Sequence, residues 1–234
     1  MSLFTLFVFL GTMALALLAQ AYVKSMFHRY NRVEGSSGYT GAQAAAEILR
    51  RNGIQDVGIY EHQGFLGDHY DPLHKRLVLS PDVFHGRSLS ALGVAAHEAG
   101  HAIQHKNAYF PLHLRMAAVG ATNFASQVVT WLPLLGMASG FGGFSGSFWL
   151  TLMALGWGVI MGFNLITLPV EYDASRRAKD MLARLGMVRT AQEGAGVSAV
   201  LNAAALTYVA AFITSLAYLL MYLLPLLLGG RSRE

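Results

Sequence analysis

The 234-residue chain contains no cysteine. That excludes disulfides and any metal site built on thiolates, and it leaves the redox compartment open. Charge is scarce too: Asp, Glu, Lys and Arg make up 13% of the residues, against about 25% in ordinary soluble domains. With 54% hydrophobic residues, the composition is that of a membrane protein. There is no internal repeat and no basic patch interleaved with aromatics. The net charge of +4 therefore does not point to nucleic acid.

The long apolar stretches carry no acid or base. Residues 3–23, 116–137, 148–168 and 206–228 each reach the roughly 20 residues needed to cross a hydrocarbon core. About four transmembrane helices are expected. Thr122, Asn123, Ser126, Gln127 and Thr130 interrupt the second stretch. Their i, i+3, i+4 spacing predicts a polar face turned toward other helices or a water-filled cavity. A transporter would carry ionisable groups at mid-membrane depth, and these stretches hold only Asn, Gln, Ser and Thr among such polar groups.

What basic residues there are flank the apolar runs. Lys24, Arg29 and Arg32 follow the first, Arg115 precedes the second, and Arg176, Arg177 and Lys179 follow the third. This positive-inside pattern puts the N-terminus outside a cytoplasmic membrane and residues 24–115 and 169–205 on its cytoplasmic side. Ala19-Gln20-Ala21 resembles a signal-peptide cleavage site, but the segment before the apolar run has no positive charge, so a retained anchor is expected. The Gly/Ser/Phe run 138–147 reads as a short exterior turn. Arg231 and Arg233, placed outside by four crossings, run against the rule, but the other loops carry more basic residues.

Residues 24–115 form the one long polar region. Residues 34–38 (Glu-Gly-Ser-Ser-Gly) mark a turn. Residues 40–51 place Ala44, Ala45, Ile48 and Leu49 on one side and stop at Asn52-Gly53, the pattern of an amphipathic helix with a C-terminal cap. Residues 57–61 and 76–80 are short strand candidates joined by the Gly- and His-rich connection 63–74. Strand 76–80 is either an ordinary core strand or an edge that holds an extended peptide by strand addition.

The next helix, capped by Ser88 or Ser90, carries His97-Glu98-Ala99-Gly100-His101. Residues i and i+4 stack one turn apart on the same helix face, so the two imidazoles can share one Zn²⁺. Glu98 is rotated about 100° from His97, flanking the metal where a general base for an attacking water belongs. Val94, Ala95, Ala96, Ala99, Gly100, Ala102 and Ile103 make the helix a buried one, where unpartnered His and Glu would be costly.

Catalytic zinc usually takes three protein ligands. His105, His113, His69, Asp173 and Glu171 are the candidates for the third. His105 continues the ladder, but three ligands on one straight helix splay along its axis rather than converge. Glu171 heads an inward stripe with Ala174, Ser175, Ala178 and Leu182, after Leu168-Pro169 closes the third apolar run. It fits a two-His-one-Glu site best. Asp173 points about 160° away from Glu171 on a helix and is expected to orient a ligand from elsewhere or to pair with arginine.

Together with Glu171-Tyr-Asp-Ala-Ser-Arg-Arg-Ala178, the HEAGH motif resembles the bacterial integral-membrane zinc metallopeptidases of the YugP type. More distantly, it resembles the HtpX and CAAX prenyl protease class of gluzincins. The nearer resemblance runs over almost the whole chain, through Asp68-His-Tyr-Asp-Pro72, Leu79-Ser-Pro-Asp-Val83, Gly86-Arg-Ser88, Val94-Ala-Ala-His-Glu98, Ala102-Ile-Gln-His105 and Leu201-Asn-Ala-Ala-Ala-Leu-Thr-Tyr-Val209. It implies zinc held by His97, His101 and Glu171, with Glu98 as the catalytic base. It also implies peptide-bond hydrolysis at the cytoplasmic membrane face, on a protein or peptide substrate associated with the bilayer. HtpX-like chains run Glu-x-x-Ala-Asp-Arg, the aspartate orienting a zinc histidine. Here Ser175 stands at that place before Arg176, so the orienting role passes to Asp173 or elsewhere.

The expected fold is a mainly α membrane protein with a zincin-like α+β cytoplasmic region, built as a single domain over residues 1–234. A donor for the reaction's oxyanion is also required. Tyr208, Asn202, His69 and Arg176 are its candidates, although an interfacial anchor is the simpler reading of Tyr208 and a helix–helix hydrogen bond that of Asn202. The alternative function is a non-catalytic zinc-binding membrane scaffold.

Overall fold

The computed structural model describes residues 3–63, 67–139 and 146–229. Seven helices and three strands follow one another as α1 (Leu3–Asn31), α2 (Gly41–Arg51), β1 (Gly58–Glu61), β2 (His69–Asp71), β3 (Arg76–Leu79), α3 (Pro81–Phe84), α4 (Leu89–Lys106), α5 (Phe110–Ser139), α6 (Gly146–Arg184) and α7 (Ala191–Gly229). Most of the 138–147 turn lies outside the described residues, as do Arg231 and Arg233.

The chain divides into two compact units. One gathers the apolar segments 1–18, 114–168 and 208–234; the other comprises 19–113 and 169–207. Among the described residues three helices are long and apolar enough to cross a membrane: Leu3–Asn31, Gly146–Arg184 and Ala191–Leu228. The expected fourth, 116–137, is helical within α5 but falls outside that set. Its Thr, Asn, Ser and Gln side chains dilute its apolarity. Thr122 donates to the Ala118 carbonyl and Gln127 accepts from Trp131, while Asn123, Gln127 and Thr130 are exposed. Of the two settings expected for this face, those three do not turn toward other helices, and their exposure leaves a water-filled cavity open. Instead, Asn164 of α6 donates to Ala211 O and Ser215 Oγ of α7, a polar tie within the apolar unit.

The other unit is built on α4. Ser88 caps this helix by accepting from Ala91 N, while Ser90 donates to the Phe27 carbonyl. Thr40 and Gln43 close a capping box at the start of α2, and Gly53 takes the left-handed φ of +64° just past its end. Leu77 and Leu79 of β3 alternate inward and pack with Ile48 and Leu49 of α2 and with Leu92, Ala95, Ala96, Ala99 and Ile103 of α4. Ala178 and Leu182 of α6 and Val197 and Leu201 of α7 complete this core.

The sheet has the order β1-β3-β2, with β3 parallel to β1 and antiparallel to β2. β3 is therefore central, and the notion of 76–80 as a peptide-holding edge is corrected. The free edges belong to β1 and β2. β2 falls inside the predicted connection 63–74. Its His-Tyr-Asp sequence has no apolar alternation, and only pairing with Tyr70 opposite Leu77 makes it a strand.

One contact sets how closely the zinc-motif helix meets α6. A Cβ on Gly100 would lie 2.7 Å from the Ala174 carbonyl oxygen. With hydrogen there, the α4 backbone rests directly on the 169–184 part of α6.

Candidate metal centre

The predicted inward stripe of α6 is buried throughout: Glu171 is 2% exposed and Ala174, Ser175, Ala178 and Leu182 are buried with it. A buried carboxylate heading an apolar stripe needs a partner. α4 supplies two. Glu171 Oε2 lies 3.2 Å from His97 Nε2 and 3.6 Å from His101 Nε2. All three residues offer a ligand atom within 4.8 Å of one another, and they are the one such group found among the described residues.

Those separations test the fit of a metal. Two ligands on one tetrahedral zinc at about 2.0–2.1 Å lie roughly 3.3 Å apart, which matches the two Glu171–His distances. The set of two imidazoles and one carboxylate is also a known catalytic-zinc combination. His105 and His113 do not join the group. Their rings sit 5.9 Å apart, and His105 Nδ1 bonds the Tyr70 hydroxyl at 2.9 Å on the sheet side of the helix. Burial, joined by the charges of His113 and Lys75, pushes the His105 pKa down.

Each histidine is held from behind through Nδ1. Ser175 Oγ lies 3.1 Å from His97 Nδ1, and Gln104 Oε1 lies 3.0 Å from His101 Nδ1. The residue beside His97 is thus Ser175 itself, where the sequence reading looked to Asp173 or elsewhere. Asp173 accepts hydrogen bonds from Gln104, Arg176 and Arg177, so it reaches His101 only through Gln104. The expected pairing of Asp173 with arginine is present, and the carboxylate touches neither histidine directly. Gln104 is the site residue that the sequence reading did not single out. Its place three residues past His101 on a buried helix was legible, but not its enclosure against α6.

Glu98 is 8% exposed and has no hydrogen-bond partner among the described residues. Its charge bears on His101. Burial works against the charged imidazole, but the Glu171 hydrogen bond, the Glu98 and Glu171 charges and Gln104 together raise the His101 pKa. Two carboxylates around two rings make the centre a place where positive charge is favoured.

The oxyanion candidates fare unequally. Arg176 is bound to Asp173 and near Asp180. His69 is exposed on β2, its Nδ1 at 2.8 Å from Gly67 O. Asn202 is exposed on α7, and Tyr208 belongs to the apolar unit.

A membrane chain with this centre falls into a known class. Residues 5–227 match the family model described as "Putative neutral zinc metallopeptidase", and the chain belongs to that family. A curated relative from Bacillus subtilis (strain 168), named "Putative membrane protease YugP", is 46% identical over 236 residues, which cover 98% of this chain and all of the relative. No solved structure matches the chain significantly.

Proposed function

We propose that the chain is a zinc-dependent endopeptidase, with His97, His101 and Glu171 holding the metal and Glu98 acting as general base. The observation that carries this is the convergence of the three ligand atoms, with the buried Glu98 carboxylate, free of hydrogen bonds among the described residues, close enough for its charge to act on His101. Zinc held there would supply Lewis acidity toward the scissile carbonyl. Glu98 is placed to accept a proton from the attacking water and to return it to the leaving amine. Ser175 and Gln104 keep the imidazoles turned with Nε2 toward Glu171. β2 pairs with β3 along one edge, and its other edge is unpaired among the described residues. An extended substrate chain can add to that edge through backbone hydrogen bonds.

The substrate class follows from the setting. Three apolar helices and a relative named as a membrane protease favour membrane proteins or their tails. The basic flanks of the apolar runs favour a centre on the cytoplasmic face of a multi-pass protein of the cell membrane. The zinc site and its bilayer-crossing helices then work as one domain.

Purified protein in detergent with zinc is expected to cleave casein or a membrane-protein substrate. Glu98→Gln is expected to keep its zinc and lose about 10²-fold or more of the cleavage rate. Cleavage persisting in that variant overturns the mechanism. A wild-type chain that binds zinc and cleaves nothing would instead favour the scaffold function.

A further inference from the structure

Gln104 is fully buried and makes three hydrogen bonds, each to a different group. Its Nε2 donates to the Val170 carbonyl at 2.8 Å and to Asp173 Oδ2 at 3.0 Å. Its Oε1 faces His101 Nδ1 at 3.0 Å. We propose that Gln104 is a positioning residue that fixes the tautomer and ring plane of His101 and thereby sets zinc affinity. The inference rests on the zinc centre proposed above.

The amide has one orientation that satisfies its neighbours. Turned over, its oxygen would face Val170 O and Asp173 Oδ2, two acceptors with no proton to offer, and its NH₂ would meet the ring. In the observed sense both amide protons are used, and the oxygen can only accept. His101 must then carry its proton on Nδ1, which leaves the Nε2 lone pair directed to the Glu171 side of the centre. Both groups that pin the amide lie on α6: Val170 is next to the ligand Glu171, and Asp173 is itself held by Arg176 and Arg177. The helix that brings the third ligand thus also orients the second. The charge of Asp173 polarises the amide and makes its oxygen a better acceptor.

The test uses the full-length chain in detergent, with zinc affinity measured against a competing chelator and the visible spectrum of the cobalt(II)-loaded protein as a second readout. Gln104→Met is expected to weaken zinc binding about 10- to 100-fold and to change the cobalt bands. A Gln104 that only ties two helices together would lower the melting temperature and leave affinity and bands where they were. Gln104→Glu alone sets a carboxylate against Val170 O and Asp173, and is expected to bind as poorly as Gln104→Met. Adding Asp173→Asn turns that hydrogen bond round and is expected to recover part of the lost affinity, at least severalfold. Wild-type affinity and spectrum in folded Gln104→Met overturn the proposal. So does a double variant binding no better than Gln104→Glu, which decides the matter if Gln104→Met does not fold. A wild-type chain that takes up neither metal overturns the zinc centre itself.

Discussion

Ser175 Oγ sits 3.1 Å from His97 Nδ1, behind the ring edge whose Nε2 faces Glu171. A hydroxyl thus stands where the resemblance to HtpX-like chains led one to expect a carboxylate. A neutral acceptor raises the ring's basicity less than a charged one, so the pairing is expected to be adequate rather than maximal. Ser175→Ala should weaken zinc binding about tenfold. Ser175→Asp should match the wild type or exceed it, because Asp restores a charged acceptor to the same place. Chelator competition on the purified variants measures both.

Gly100 gives a prediction about packing rather than ligation. A methyl group at this position meets the Ala174 carbonyl at 2.7 Å, and that oxygen is backbone, not the end of a flexible side chain. Gly100→Ala should therefore force α4 and α6 apart and cost about 1–3 kcal/mol, seen as a lowered thermal midpoint. Glu171 comes from α6 and both histidines from α4, so the same variant should also lose zinc affinity.

Zinc retention should depend on pH in a direction set by His101. Its pKa is raised: burial lowers it, but the Glu171 hydrogen bond and the Glu98 charge more than offset burial. Protons compete with zinc for the ring, so affinity should begin to fall above the ordinary histidine value of about 6.5 as pH is lowered. A titration of zinc affinity between pH 8 and pH 5 checks it, with ~6.5 as the dividing value. Affinity that stays flat until well below that value would contradict the raised pKa.

The orientation of the chain has its own readout. A reporter fused after Ser147 should be exported if, as proposed, the basic residues after the first and third apolar runs hold those ends in the cytoplasm. A cytoplasmic signal from that fusion would invert the topology.

The His97/His101 pair and the inward stripe led by Glu171 were readable because helix periodicity fixes which side chains share a face. The cap at Ser88 and the stop at Gly53 follow from equally local chemistry. β2 was not readable, since a three-residue polar strand exists only through its partner. Nor was the extent of the long helices: α6 continues through Pro169 as a single element, past the point where the sequence closes the third apolar run. Gln104 escaped for a related reason. An amide in a helix most often faces water, and only packing against α6 reveals that this one is enclosed.

The bare α-carbon of Gly100 bears finally on the order of events. Main chain resting on main chain needs no ion to hold it in place, so the two ligand-bearing helices are braced independently of what they bind. Zinc fingers fold only around their metal; the cradle proposed here is expected to stand without one. Loading and stripping the site should leave the helical content of the protein unchanged, so that exchange with other divalent ions is limited by their passage into the centre rather than by refolding.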